Sequence, residues 1–217
     1  DFNKDTCRSL IGFYPYNAHP EMWGQSITIW GEPKHTFNTS FEVYDNSKNL
    51  LAESPAYATI GDEIYTDSFI LVGSDTVFYN IKRVESFALN QRQHMRLRIK
   101  NTNTNLRIAL KSSATEGTVH YWNLVELNND AGNWGLPFIA WESGWEEGDN
   151  KYGIGEPACT KSAISVAAHN SEFKAPSGNI LGGQIANFSS IGPTIDGRTK
   201  PDVSAPGVSV ASSVSAY

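Results

Sequence analysis

Hydrophobic alternation with a period of two most limits how the first two thirds of this chain can fold. In the segment HMRLRIK, residues 94–100, Met95, Leu97 and Ile99 alternate with polar and basic residues. Successive side chains of a strand point to opposite faces, so the segment predicts a strand with one buried and one solvated face. Between residues 23 and 127, no segment keeps a helical period for three turns.

The alternation recurs along the chain and predicts an antiparallel sheet structure. Residues 106–111 alternate again after the turn-like sequence NTNTN, which predicts a hairpin with residues 94–100. Clusters of Gly, Asn, Asp and Ser separate short strands of this kind in sandwich folds. We therefore predict a mainly β chain that begins with an antiparallel, jelly-roll-like sandwich. The other predicted strands are residues 26–30, 37–44, 76–81, 84–89 and 118–127.

The composition changes after residue 127. Residues 128–155 are rich in Gly, Trp, Asn and acidic residues, and we interpret them as an ordered connection. Beyond Pro157 the chain has short apolar runs at residues 163–168, 185–188 and 208–214. Such runs are typical of strands that are buried on both faces.

Charge and residue counts exclude several classes of partner and site. The 17 basic and 23 acidic residues give a net charge of −6, so we expect no nucleic acid partner. No window approaches the roughly 18 apolar residues of a membrane span. The five histidines are never three to five residues apart, and we expect neither a metal nor a cofactor. Cys7 and Cys159 leave a disulfide and two thiols as alternatives.

The most specific motifs lie in residues 186–208. The sequence ANFSSIGP begins at Ala186, DGRTKPDV follows at Asp196, and APGV follows at Ala205. This series, in this order, resembles the subtilisin-like serine protease family. Upstream, EPAC at Glu156 and AISVAA at Ala163 are similar to the Pro-Ala segment and the adjoining strand of that family. The resemblance covers residues 154–217.

The resemblance implies a serine endopeptidase that hydrolyses peptide bonds. In this family a serine attacks the carbonyl, a histidine takes its proton, and an aspartate orients the histidine. The aspartate and histidine precede the segment seen here, and the serine follows the APG motif in a Gly-Thr-Ser sequence. Residues 205–217 contain no such sequence. We therefore expect the triad to lie outside this chain and the fragment to be inactive, while the full-length protein is secreted or at the cell surface.

The resemblance also implies an arrangement of domains and a substrate pocket. Some members of the family carry a jelly-roll domain inserted in the catalytic domain, which implies an entry connection at 1–22, an inserted sandwich at 23–153 and a partial α/β catalytic domain at 154–217. Gly155 would form the floor of the pocket for the side chain before the scissile bond. A cis peptide bond would follow it at Glu156-Pro157.

Three polar residues have competing interpretations. Ser209, in GVSVA, resembles a nucleophile elbow, but we interpret it as structural because the strand pattern continues past it. Asn133, in AGNWG, resembles the oxyanion asparagine of the family. We favour a turn there, because the preceding ELNND is not an apolar strand. Asp202 is predicted to be buried and multiply hydrogen-bonded, with an exposed turn as the alternative.

The tryptophans leave a second function open. Four of the six lie between residues 122 and 145. Exposed rings on a sandwich can stack on sugar faces, which would make the chain a non-catalytic carbohydrate-binding or adhesion module of a surface protein. Alternatively, Trp122, Trp141 and Trp145 pack the junction between the sandwich and the protease. We favour packing, and a peptide substrate over a carbohydrate partner.

Overall fold

The computed structural model describes residues 6–13, 21–84, 91–100, 102–128 and 131–210. Throughout these residues the chain forms strands, turns and loops, without a helix. The chain divides into two compact units, Asp1–Gly148 and Asp149–Tyr217. The predicted mainly β class is confirmed.

In its described part, the first unit has two six-stranded antiparallel sheets. The first sheet has the order β12-β1-β9-β3-β4 with β5 paired to β3, and the second has the order β11-β10-β2-β8-β7-β6. The strands are β1 (Thr6–Ile11), β2 (Met22–Pro33), β3 (Asn38–Tyr44), β4 (Leu50–Glu53), β5 (Tyr57–Ala58), β6 (Ile64–Val72), β7 (Asp75–Val84), β8 (Arg92–Lys100), β9 (Arg107–Ser113), β10 (Val119–Leu127), β11 (Ala131–Gly135) and β12 (Phe138–Ile139).

Apolar residues from both sheets form one shared core. Phe41 and Ile108 of the first sheet belong to the same buried cluster as Ile27 and Met95 of the second. Alternation along each strand directs these residues inward and the intervening polar residues outward. The two sheets therefore pack as the predicted antiparallel sandwich, while its jelly-roll connectivity stays a prediction.

The register of the second sheet determines what its outer face presents. Thr28 of β2 lies opposite Arg96 of β8 and Trp122 of β10. Trp30 lies opposite His94 on one side and His120 on the other. Ile27 and Ile29 face the core, so Thr28, Trp30 and the residues opposite them lie on the outer face.

The predicted hairpin between residues 94–100 and 106–111 is wrong. Both segments are strands, but β8 pairs with β2 and β7 in the second sheet, whereas β9 pairs with β1 and β3 in the first. The connection crosses the sandwich, because both apolar faces must reach the same core from opposite sides. Alternation predicts which side chains face inward, but it does not predict the partner strand.

Other predicted segments differ from the structure in detail. Strand β1 lies inside the segment predicted as an entry connection, and its backbone pairs with β9 and β12. Val84 ends β7, and the remainder of the strand predicted at 84–89 lies outside the described residues. Trp141 and Trp145 pack against Tyr44 of β3, with ring centroids 5.6 and 5.7 Å apart. Their predicted place at a junction stays a prediction.

The second unit contains two short strand pairs. Strands β13 (Val166–Asn170) and β16 (Val203–Val208) are parallel, and β14 (Phe173–Lys174) pairs with β15 (Ile180–Leu181). Of the apolar runs predicted to be strands, the run at 163–168 overlaps β13 only at residues 166–168, and the run at 185–188 has only an isolated bridge from Ile185 to His169. The run at 208–214 overlaps β16 only at Val208, and its residues 211–214 lie outside the described part of the chain. Burial on both faces is wrong for β13, since Val166 is 57% exposed. Within the described residues, the parallel pair has no third strand.

Two further expectations concern the whole chain. No disulfide bond joins Cys7 and Cys159 in the structure. Among the residues that the structure describes, no helix has the length and apolar character needed to cross a membrane.

Candidate functional site

A cleft of about 240 Å³ opens in the second unit. Most of its lining is apolar and comes from Ile154, Gly155, Ala158, Val166, Ala168, Phe188 and Pro201. Three hydroxyl groups complete it, from Ser165, Ser189 and Ser190. A space lined in this way can receive an apolar side chain and offer it a few hydrogen-bonding groups at the rim.

Gly155 lines this cleft. A Cβ atom added to Gly155 would meet nothing within 4 Å, so the missing side chain leaves open space. Its role as the floor of a substrate pocket stays a prediction. The Glu156-Pro157 bond is cis, as predicted. Gly192-Pro193 and Lys200-Pro201 are also cis, which the sequence analysis did not predict.

The FSS motif forms a wall of the cleft because it is tied to β13. The backbone N–H of Ala168 donates to the Oγ of Ser189 at 3.0 Å, and the N–H of Ala186 donates to the carbonyl of Ala168 at 2.9 Å. Farther along, a Cβ atom at Gly192 would overlap the carbonyl oxygen of Lys200. A glycine is therefore needed where these two loops meet.

Asp202 fastens the start of β16 to the residue before β13. Its carboxylate accepts hydrogen bonds from the N–H and hydroxyl of Ser165, at 2.7 and 2.9 Å. It also accepts one from the Nζ of Lys200 at 2.6 Å. The bonds from Lys200 and Ser165 lower the pKa of Asp202 from 3.8 to about 2. The predicted multiple hydrogen bonds are confirmed.

The predicted burial of Asp202 is wrong. Its side chain is 36% exposed, whereas the Lys200 side chain is only 5% exposed. Lys200 also donates to the carbonyl of Ala163 at 2.6 Å. The cation is thus the enclosed member of the pair, and the carboxylate reaches it from the surface.

Arg198 makes a second link between the same two segments. Its Nη2 donates to the carbonyl of Cys159 at 2.7 Å, and its Nε donates to Asp196 at 2.8 Å. Thr194 closes the turn through hydrogen bonds with Asp196 and with the N–H of Arg198. Sequence reasoning identified the DGRTKPD motif but missed these roles. The signal was the two acid–base pairs at a spacing of two residues, Asp196 with Arg198 and Lys200 with Asp202.

Ser209 and Asn133, whose sequences resemble motifs of the family, are not among the residues that line the cleft. Ser209 follows the end of β16, is exposed, and has a φ of 57°, so the strand predicted to continue past it is wrong. Asn133 lies in β11, which pairs with β10 at the edge of the second sheet, so the favoured turn is also wrong. The side chain of Asn133 lies outside the described residues.

Comparison with known families agrees with the motifs around the cleft. A family model described as the subtilase family matches residues 102–217, more than half of the chain. The chain belongs to the subtilase family. The match begins just before β9, so it includes part of the sandwich as well as residues 154–217. No curated protein matches this subtilase.

One solved structure resembles this subtilase over almost its whole length. It is described as the structure of the Clostridium perfringens CspB protease, with a TM-score of 0.57 and 16% sequence identity. The likeness covers 97% of this chain and 38% of that chain. At this identity the likeness shows the fold alone, and this chain spans little more than a third of the other protein.

Proposed function

We propose that this subtilase is part of a secreted or cell-surface serine endopeptidase that hydrolyses peptide bonds by Ser-His-Asp acyl transfer. The observation that carries the proposal is the open, mainly apolar cleft at Gly155, framed by the subtilase motifs. In this proposal the triad lies outside residues 1–217, and this chain alone is inactive. The sandwich, residues 23–153, is the inserted jelly-roll-like domain, and residues 154–217 are the partial catalytic domain.

The lining of the cleft supports a role in substrate selection. Its apolar side chains and three hydroxyl groups include no ionisable side chain. A charged substrate side chain would lose its hydration there without gaining an ion pair. We therefore propose that the pocket accepts an apolar side chain immediately before the scissile bond.

The exposed apolar residues of the second unit support its being part of a larger domain. Val166, Ile185, Phe188 and Val203 are each at least half exposed. Parallel strands are normally covered on both faces, and adjacent exposed apolar side chains mark a surface that another element covers. In the proposal, the remainder of the catalytic domain covers these residues.

Labelling the full-length protein with a fluorophosphonate probe tests the proposed activity. We expect one serine outside residues 1–217 to be labelled, together with hydrolysis of peptides, whereas this chain is neither labelled nor active. Labelling of a serine within this chain would contradict the proposed position of the triad. An unlabelled, inactive full-length protein would favour the alternative of a non-catalytic binding module.

A substitution at Gly155 tests the pocket separately. Because a side chain at this position projects into open space, Gly155→Val should fill the cleft without displacing a neighbour. In the full-length enzyme we expect kcat/KM to fall at least tenfold, about 1.4 kcal/mol, for peptides with a large apolar residue before the scissile bond. The change should be much smaller for alanine at that position. An equal effect on both peptides would contradict the pocket assignment.

A further inference from the structure

Strand β6 forms one edge of the second sheet and lacks the features that normally protect a sheet edge. It is nine residues long, whereas the strands at the other edges, β4, β5, β11 and β12, have at most five. It contains no proline, glycine or lysine, and it pairs with β7 from Ile64 to Val72 without a bulge. Natural proteins shorten, charge or bend such edges, because an unpaired edge recruits other strands. Strand β6 is therefore an edge to which another strand can be added.

The backbone along the free edge of β6 is open for pairing. In an antiparallel pair, alternate residues direct their N–H and C=O groups away from the partner strand. In the part of the chain that the structure describes, no backbone hydrogen bond joins the free edge of β6 to another segment. Strand β4 of the first sheet lies near β6 but is not paired with it. About half of the backbone polar groups of β6 can therefore bind an added strand.

The side chains next to this edge are exposed and mainly apolar. Exposure alternates along β6, and Tyr65, Phe69 and Leu71 on its outer side are 64%, 56% and 65% exposed. Phe78 of β7, which lies opposite Phe69, is 48% exposed, and the two ring centroids are 6.3 Å apart. An added strand would place its own side chains about 5 Å from those of β6. Apolar side chains at these positions would remove apolar surface of both strands from water.

The chain is acidic around this edge. Residues 49–81, which include β4, β5, β6 and most of β7, have five acidic residues and no basic one. Asp67 lies between Tyr65 and Phe69 on the outer side of β6, and its carboxylate accepts a hydrogen bond from the Asn80 amide at 2.9 Å. Within the described residues, no cation is paired with Asp67. An added strand therefore meets apolar surface and one unpaired carboxylate.

The basic residues of the second sheet lie farther from the edge or are already engaged. Lys82 of β7 lies 4.0 Å from Glu63, and the buried Arg83 donates to backbone carbonyls. The others are two strands away on β8: Arg92, Arg96, Arg98 and Lys100. Neighbouring strands are about 4.8 Å apart, so a strand added at β6 would lie about 14 Å from β8. Charges are screened over about 8 Å at physiological ionic strength, so Asp67 has the stronger effect on an added strand.

From this edge we infer that β6 binds an extended polypeptide segment that combines apolar and basic side chains. The segment would pair with β6 as a seventh strand of the second sheet. It would place apolar residues beside Tyr65, Phe69 and Leu71, and a lysine or arginine beside Asp67. A second copy of this chain fits less well, because its β6 would bring another Asp67 and no cation to the edge. This inference does not depend on the proposed protease activity.

Fluorescence anisotropy with labelled, capped peptides tests the inference on this chain. Val-Thr-Lys-Thr-Val-Thr-Val and its reverse provide the side-chain pattern for the two possible strand directions. We expect one of them to bind at least about tenfold more tightly than the same peptide with glutamate in place of lysine. In the complex, hydrogen exchange should slow at alternate amides of residues 64–72. Absence of binding, equal affinity for the lysine and glutamate peptides, or slowed exchange only elsewhere in the chain would overturn the inference.

Charge reversal at one position locates the site. In Asp67→Lys we expect the glutamate peptide to bind at least about tenfold more tightly than the lysine peptide. Asp67→Asn, whose amide oxygen can still accept from Asn80, should lose the preference for lysine without a change in melting temperature. Glu147→Lys makes the same change of net charge at an exposed carboxylate outside β6 and is the control. A preference that survives Asp67→Lys, or one that Glu147→Lys reverses, would overturn the inference.

Two equally exposed phenylalanines test the apolar contact. Phe69 of β6 is 56% exposed, and Phe173 of β14 in the second unit is 57% exposed. Phe69→Ser should weaken binding at least about fivefold, whereas Phe173→Ser should not. Equal weakening by both, or weakening by Phe173→Ser alone, would overturn the inference. Sedimentation of the free chain tests a different occupant, since a dimer that Phe69→Ser abolishes would assign the edge to a second copy and overturn the inference as well.

Discussion

The carboxylate of Asp202 accepts hydrogen bonds from both the N–H and the hydroxyl of Ser165, at 2.7 and 2.9 Å. Ser165 is buried and directly precedes β13, whereas Asp202 directly precedes β16. One side chain therefore aligns the first residues of the two parallel strands. Since Ser165 and Val166 also line the cleft, the same contact shapes the site.

Removing the Asp202 carboxylate should loosen this alignment. Asp202→Ala leaves the N–H and hydroxyl of buried Ser165 and the Nζ of Lys200 without this acceptor. We expect a lower melting temperature and faster hydrogen exchange at residues 165–168, with Asp202→Asn intermediate because its amide oxygen can still accept. Glu172→Ala, an exposed carboxylate of the same unit, is the control. Unchanged exchange in Asp202→Ala would contradict the role given to this contact.

The same carboxylate predicts a pH dependence. The pKa of Asp202 is lowered from 3.8 to about 2 by its bonds to Lys200 and Ser165. A lowered carboxylate pKa stabilises the folded state above pH 3.8, and this contribution is lost as the pH falls towards 2. The stability difference between the chain and Asp202→Asn should therefore be present at pH 6 and shrink between pH 4 and 2. A difference that stays constant over that range would show that the charge contributes nothing.

His94 also predicts that the chain loses stability in acid, but at a higher pH than Asp202 does. Burial, followed by Arg96 and Lys82, lowers the pKa of His94 from 6.5 to about 4. The unfolded chain then takes up a proton between pH 6.5 and 4 that the folded chain does not, so stability falls as the pH falls through that window. Allowing for partial exposure, the loss should be on the order of 2 kcal/mol.

Urea unfolding of the chain and of His94→Phe at pH 7 and pH 4.5 measures this loss. The variant should lose less stability between the two pH values, because its ring keeps the stacking on Trp30 but cannot take up a proton. NMR titration of the His94 ring supplies an independent value. A pKa near 6.5 would show that the ring is as well hydrated in the folded chain as in the unfolded chain.

Sequence reasoning predicted side-chain direction better than strand partners. In β8 the inward positions of Met95, Leu97 and Ile99 follow directly from alternation. Strand β6 gave no such pattern, because Phe69 and Leu71 on its outward face are as apolar as Ile70 on its inward face. Pairing between strands depends on contacts across the sandwich, which alternation within one strand does not encode.

In the candidate site too, sequence reasoning predicted some features and missed others. Residues of the subtilase motifs line the cleft together with Gly155, whose role as the floor of a substrate pocket stays a prediction. The bonds that frame the cleft were not predicted, because Arg198 and Lys200 bind backbone carbonyls, and every residue offers the same carbonyl group. The predicted burial of Asp202 was wrong, because the apolar residues that follow it in sequence do not reveal whether another element of the fold covers them.

A matched pair of phenylalanines tests the extent of the sandwich core. Phe41 is 1% exposed and belongs to the core cluster, whereas Phe69 is 56% exposed on the outer face. Phe41→Ala should reduce the free energy of unfolding by about 3 to 5 kcal/mol through lost burial and a cavity. Phe69→Ala should change it by less than about 0.5 kcal/mol. Similar losses for both in urea unfolding would mean that the outer face is packed in solution.

The exposed face of the second unit gives a prediction that distinguishes this chain from the full-length protein. Val203 is 53% exposed in β16, so Val203→Ser should hardly change the stability of this chain and should reduce its binding of the apolar dye ANS. If the remainder of the catalytic domain covers β16, the same substitution in the full-length protein removes a buried valine. The loss there should be about 1 to 3 kcal/mol, measured as a lower melting temperature. Ser204→Ala, at an exposed neighbouring position of β16, is the control for a general effect on this strand. Equal effects of Val203→Ser in both proteins would mean that β16 is as exposed in the full-length protein as it is here, and the proposed covering would be wrong.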